Sequence, residues 1–311
     1  MRRIFFIILL SIFANLGLNA QNTSYLDDEA ITEFTKKLTK LPFSERDVII
    51  KACEIYEKDF SNNPDLADWA FQVLYFYHEI SCNDKSLTLH KTFSDEEIRG
   101  YFLNDIYILP KLKSDISAFI KEYAQWGYRI ATFEDTSYRI EVDSSFLYKK
   151  FEKYLSREYS YYLSNYISDC GIPPYWHATL NVPLSEIMRR IEWRDLFLKE
   201  NPEFIRHDLV IREIEYLMFS VAKGLENTPI YDEKDVILPE YKDAIQAYYR
   251  THTGTNWGLF LTEFMHRLSL NKYRHSHPID LFVMNKLFPE DRKNIDPLLK
   301  YKDILIDNLM D

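Results

Sequence analysis

The stretch Ser44-Glu45-Arg46-Asp47-Val48-Ile49-Ile50-Lys51-Ala52-Cys53-Glu54-Ile55-Tyr56-Glu57-Lys58-Asp59-Phe60, continued by Ser61-Asn62-Asn63-Pro64-Asp65, decides the fold class. Val48, Ile49, Ala52, Cys53, Tyr56 and Phe60 recur at three- and four-residue spacing, which draws one apolar stripe along a helix. Ser44 and Asp47 offer oxygens that can cap its start. The polar break at Ser61–Asn63 ends the stripe, and Pro64 suits the first turn of a new helix. The unit therefore reads as two helices joined by a turn near Asn62.

The same grammar recurs outward in both directions. Ser94-Asp95-Glu96-Glu97 has the form of a capping box, with Ile98, Phe102 and Ile106 behind it. Pro110 breaks or kinks that helix, and a second segment runs to about Trp126. Asn201-Pro202-Glu203 and Asp296-Pro297 each set a capping side chain before a proline at a first helical position. Leu184, Ile187, Met188, Ile191 and Leu198 make a further stripe. Ala52, Tyr56, Pro64, Val73 and Tyr77 are spaced as in a tetratricopeptide repeat, with Asn63-Pro64-Asp65 similar to the join between two repeats. The similarity covers about 26 residues and does not recur at the ~34-residue period of such arrays. Only seven glycines occur, which disfavours a many-stranded sheet rich in tight turns.

One segment alternates instead. Tyr128, Ile130 and Thr132, then Tyr138, Ile140 and Val142, flank the polar turn Glu134-Asp135-Thr136-Ser137, the pattern of a β-hairpin. The expected fold is thus mainly α, a multi-helix α/α-hairpin array or irregular bundle with one short β-hairpin near 128–142. Its expected divisions are a leader at 1–20, a helical region at 21–126, the hairpin at 127–142, and a helical region at 143–311 that can be continuous with the first.

The leader expectation rests on Met1-Arg2-Arg3, the short apolar run Ile4–Leu10 and the small residue Ala20, the pattern of a secretory signal peptide. The run is broken by Ser11, Asn15 and Gly17, and a membrane-spanning helix needs about 20 mainly apolar residues. The sequence therefore predicts an exported chain, periplasmic or secreted, beginning at Gln21 and with no integral membrane segment after signal removal. The formal charge is −10, and −12 without Arg2 and Arg3. The basic residues are scattered among acids, so nucleic acid is not an expected partner. Cys53, Cys82 and Cys170 are an odd set, and Cys53 and Cys82 would sit roughly 15 Å apart along a hairpin turning near Asn62, beyond disulfide reach.

No glycine-rich phosphate loop, nucleophile elbow or CxxC pair is present. His78-Glu79-Ile80-Ser81-Cys82 has cysteine where a zinc-protease helix has its second histidine, so His78 reads as an ordinary helix residue. The chemistry-bearing residues concentrate near the C-terminus. Glu263, His266, His275 and His277 combine imidazole and carboxylate ligands suited to zinc or iron, and Glu263 and His266 have helical i,i+3 spacing. Trp257, Phe260, Leu261, Phe264 and Leu268 form the apolar face of that helix, which turns His266 away from the core.

Thr253, Thr255, Asn256 and Trp257 form a polar loop running into a helix start, able to hold an anion or simply to cap the helix. Tyr175 and Trp176 follow Pro173-Pro174 in a stiff segment, either lining a pocket or interface or serving as a linker. Cys170 would act as a nucleophile only with a lowered pKa. Two functions follow as expectations. The leading one is a helical binding or scaffold protein that takes up a protein, peptide or glycan. The alternative is a metal-dependent hydrolase of envelope or extracellular substrates that uses the four C-terminal residues.

Overall fold

The computed structural model describes residues 29–103, 109–133, 137–176, 178–289 and 298–309. The expected leader, the Glu134–Thr136 turn, Ile106 and Asp296-Pro297 lie outside these residues. The described residues form a mainly α-helical protein with two short antiparallel hairpins. In the N-terminal half the helices are α1 (Glu29–Leu38), α2 (Val48–Phe60), α3 (Pro64–Thr92), α4 (Asp95–Phe102) and α5 (Pro110–Ala124). Strands β1 (Tyr128–Phe133) and β2 (Ser137–Val142) follow, then α6 (Ser144–Phe151) and α7 (Arg157–Cys170). After the small hairpin β3 (Tyr175–Trp176) and β4 (Thr179–Leu180) come α8 (Leu184–Glu200), α9 (His207–Lys223), α10 (Pro239–Thr251), α11 (Asn256–Leu270), α12 (His277–Leu287) and α13 (Leu299–Leu309).

Local signals explain most boundaries. The stripe of α2 buries all six predicted residues, but Asp47 makes no capping bond, so packing and not the cap holds that end. Pro64 stands in the first turn of α3. Ser94 and Glu97 exchange both bonds of a capping box at α4. Pro110 opens α5. One expectation fails: Asn201 does not start a helix. It ends α8, where both its backbone N–H and its side-chain amide donate to the Phe197 carbonyl, and the chain turns through Pro202 before α9 begins at His207.

Helix α3 is central because apolar residues surround much of its circumference, the pattern of a helix covered on several sides. It packs on α1, α2, α13 and strand β2. Tyr128 faces Val142 and Ile130 faces Ile140 across the β1–β2 ladder. Tyr128, Tyr138, Ile140 and Val142 turn inward. The Ile140 N–H donates to Ser86 on α3 at 2.9 Å, so the hairpin is hydrogen-bonded to the helix as well as packed on it. Helix α7 joins the halves. Its Tyr159 hydroxyl donates to Gln72 at 2.7 Å, and its ring meets Phe71. In the C-terminal half, α8 packs on α9, α9 on α12, α12 on α11, α11 on α10 and α10 on α8, so the helices close a cycle. Buried residues from Ile31 to Leu305 belong to one hydrophobic cluster. Among the described residues no helix is long and apolar enough to cross a membrane.

Candidate functional site

The segment after α7 is held by a dense network of ion pairs and hydrogen bonds. Asp169, near the end of α7, is buried, receives bonds from two arginines and a tryptophan of α8, and pairs with a third arginine. Arg194 donates to Oδ2 at 2.7 Å and Trp193 Nε1 at 3.1 Å, while Arg189 donates to Oδ1 at 2.9 Å and Arg190 Nε lies 3.4 Å away. Arg194 also donates to Glu213 on α9 at 2.8 Å, and Tyr162 donates to the other Glu213 oxygen at 2.7 Å. Glu186 receives Arg189 and Arg190, and these bonds, chiefly Arg189's, hold its carboxyl down at about 2. Three carboxylates thus face three guanidiniums, and a buried charge is tolerable only when matched in this way.

The network reaches outward to a hairpin. Arg190 donates to the Ile172 carbonyl at 2.9 Å, Asn181 closes on the carbonyls of Pro173 and Pro174, and Leu180 N–H donates to Thr228 at 3.0 Å. Ala178 takes a left-handed turn conformation (φ 55°) and accepts from Asn227 N–H at 3.0 Å. Tyr175 lies against α9, its hydroxyl 3.1 Å from both the Tyr216 carbonyl and Ser220 Oγ. The two aromatic residues therefore diverge: Tyr175 is tied down, whereas Trp176 is 42% exposed and Ile172 57% exposed. Tyr216, 42% exposed, extends the surface along α9, and its ring meets Phe288 at the end of α12, 5.6 Å between centroids. Met284 on α12 is also exposed. Ile172 and Trp176 thus stand exposed on the held hairpin, and Tyr216 and Met284 stand exposed on α9 and α12.

The remaining sequence candidates are dispersed. Glu263 receives Arg267 at 2.7 Å one turn along α11, and His266 is exposed on the solvent face of that helix. His275 Nε2 lies 2.8 Å from Asp280 Oδ1, and Lys223 pairs with the other Asp280 oxygen. Burial works against that carboxylate's charge, but the bonds from Lys223 and His275 hold it below its usual range. His277 begins α12 and is exposed. Among the described residues no group of three or more His, Cys, Asp or Glu is placed to hold a metal ion.

At the polar loop, Thr255 caps α11 by accepting from Gly258 N–H at 3.0 Å, while Thr253 and Asn256 are exposed and Trp257 is half-buried. Gly258 is there because a Cβ would sit 1.8 Å from the His252 carbonyl oxygen. Beside the cap, Asp195 is buried and receives Tyr248 at 3.3 Å, and His252 stacks on Tyr248 while facing Glu192 at 3.3 Å. Cys170 is half-buried, and burial pushes its thiol up, the opposite of what a nucleophile needs. All three cysteines are free thiols. Sequence reasoning missed the Asp169 network. Its signal was present: Arg190 and Arg194, four apart, share the face of α8 that carries Ile187 and Ile191.

The chain matches no family model, no curated protein and no solved structure.

Proposed function

We propose that this is an exported binding protein that engages a protein or peptide partner through the platform of Ile172, Trp176, Tyr216 and Phe288. The observation that supports it is a large exposed indole on a hairpin pinned by a buried ion network. Exposed aromatics are costly to leave in water and are over-represented at interfaces, where Trp and Tyr supply most of the binding energy. A rigid anchor loses little entropy on binding, so the investment in holding Trp176 still favours contact. The adjoining Met284 and Phe288 suit a protein surface better than a glycan, which needs polar groups beside its stacking ring.

A photo-crosslinking residue at position 176, compared with one at exposed Leu87 on α3, tests the reading in cells. A discrete adduct from position 176 that is absent at 87, and is lost when Tyr216 is changed to Ala, supports the platform. Equal labelling from both positions removes it. Export is tested separately, by sequencing the N-terminus of the protein recovered outside the cytoplasm, where Gln21 is the expected first residue.

A further inference from the structure

His78 on α3 is a fully buried imidazole. Its side chain is 0% exposed, and neither ring nitrogen has a hydrogen-bond partner. What covers it is the junction of the β1–β2 hairpin with α6. The Tyr128 ring stands edge-on at 4.7 Å and the Phe146 ring at 6.2 Å. Phe146 fits because residue 127 is glycine, with φ +75°. A Cβ there would fall 2.4 Å from the Phe146 ring.

The groups that could receive a proton from His78 are engaged elsewhere. Tyr128 shares a 2.7 Å bond with Ser81, and Ser81 donates to the His78 carbonyl. Asp143, which caps α6 and whose charge favours a protonated ring, accepts from both the N–H and the hydroxyl of Ser145 at one oxygen, Oδ1. On α3 itself, Glu79 is drawn to Lys302 at 2.7 Å, and Cys82 is a buried thiol pointing to the His78 carbonyl. Arg139 and Glu141 of β2 pair with each other near Cys82. Burial favours the neutral imidazole, and the Asp143 carboxylate and the Trp126 backbone compensate an imidazolium only in part, so charging the ring here is costly.

We infer that His78 is an acid-sensitive latch, whose protonation releases the β1–β2 hairpin and α6 from α3 while the α8–α12 cycle stays folded. The opening is local because a two-stranded hairpin has little stability of its own and the cover consists of two rings. Burial holds the ring's pKa down at about 3, with Asp143 and the Trp126 backbone offsetting it only in part. Below the ordinary value of 6.5 the open state binds a proton that the closed state refuses. The open-to-closed ratio therefore rises about tenfold for each unit of acidification from there toward 3.

Hydrogen exchange of the full chain at pH 7.0, 5.5 and 4.5, corrected for intrinsic rates, tests this. Peptides covering 128–133 and 138–151 should lose protection about tenfold from pH 7.0 to 5.5 and about tenfold more by 4.5, with α8–α12 unchanged and the loss abolished in His78→Phe. Unchanged protection in wild type, equal loss across the molecule, or the same loss in His78→Phe overturns the inference. Should His78→Phe not fold, the His78 ring carbon shift in wild type decides. A ring neutral in the closed protein at pH 5 sustains the latch, and one that titrates near 6.5 with the hairpin still protected ends it.

Discussion

Asp169 shows how one side chain can set the value of many others. It takes bonds from Arg189, Arg194 and Trp193, so its removal takes one of two carboxylate partners from the buried Arg194 and leaves the Trp193 N–H without its acceptor. Breaking a buried ion pair from one side costs about 3–5 kcal/mol, much more than the pair itself contributes. Asp169→Ala should lower stability by that order in urea denaturation, and a change below about 1 kcal/mol would mean that the arginines find water instead. Trp176→Ala makes the complementary case. Trp176 is 42% exposed, so stability should fall by less than for a buried ring, about 1 kcal/mol, while partner crosslinking disappears. Gly258→Ala is a backbone matter. The added carbon meets the His252 carbonyl oxygen, which cannot swing aside, and a loss of roughly 1–3 kcal/mol in melting experiments is expected.

At the scale of elements, what could be read in advance was whatever depends on neighbours within a turn or two. The stripe from Val48 to Phe60, the capping box at Ser94, the proline starts at Pro64 and Pro110, and the alternation of the β1–β2 hairpin are all local, and all appear. Asn201 misled because its amide can serve either end of a helix; here it donates to the Phe197 carbonyl in the last turn of α8. The hairpin around Tyr175 and Trp176 was readable only as a stiff segment. Its shape depends on Thr228, Asn227 and Arg190, which lie up to about fifty residues away and carry no periodic signature. The C-terminal histidines cluster in sequence but not in space, since α11 and α12 turn them to different faces. Local grammar also gives a local prediction: Ser94→Ala should cost about 1 kcal/mol, and Thr255→Ala a similar amount, both measurable by denaturant midpoint at unchanged m-value.

Across the whole molecule, the chain is closed by its last described helix. Helix α13 packs on α1 and α3, with Leu298, Tyr301 and Leu305 fully or almost fully buried and Lys302 reaching Glu79 at 2.7 Å. Residues about 270 positions apart in sequence thus share one core, and among the described residues α1 packs otherwise mainly on α2 and α3. Stability of the N-terminal edge is therefore borrowed from the C-terminal one. Leu305→Ala removes a buried side chain that α1 cannot move to replace, and large-to-small changes of this kind cost about 2–5 kcal/mol. The loss should not be spread evenly. Amides of α1, 29–38, should exchange faster in Leu305→Ala than in wild type, while amides of the α8–α12 cycle, which packs through its own contacts, should keep their protection at modest denaturant. Equal acceleration in both regions would mean that the molecule unfolds as one cooperative unit. Unchanged exchange in α1 would mean that α2 and α3 alone hold it, leaving α13 a passive cover.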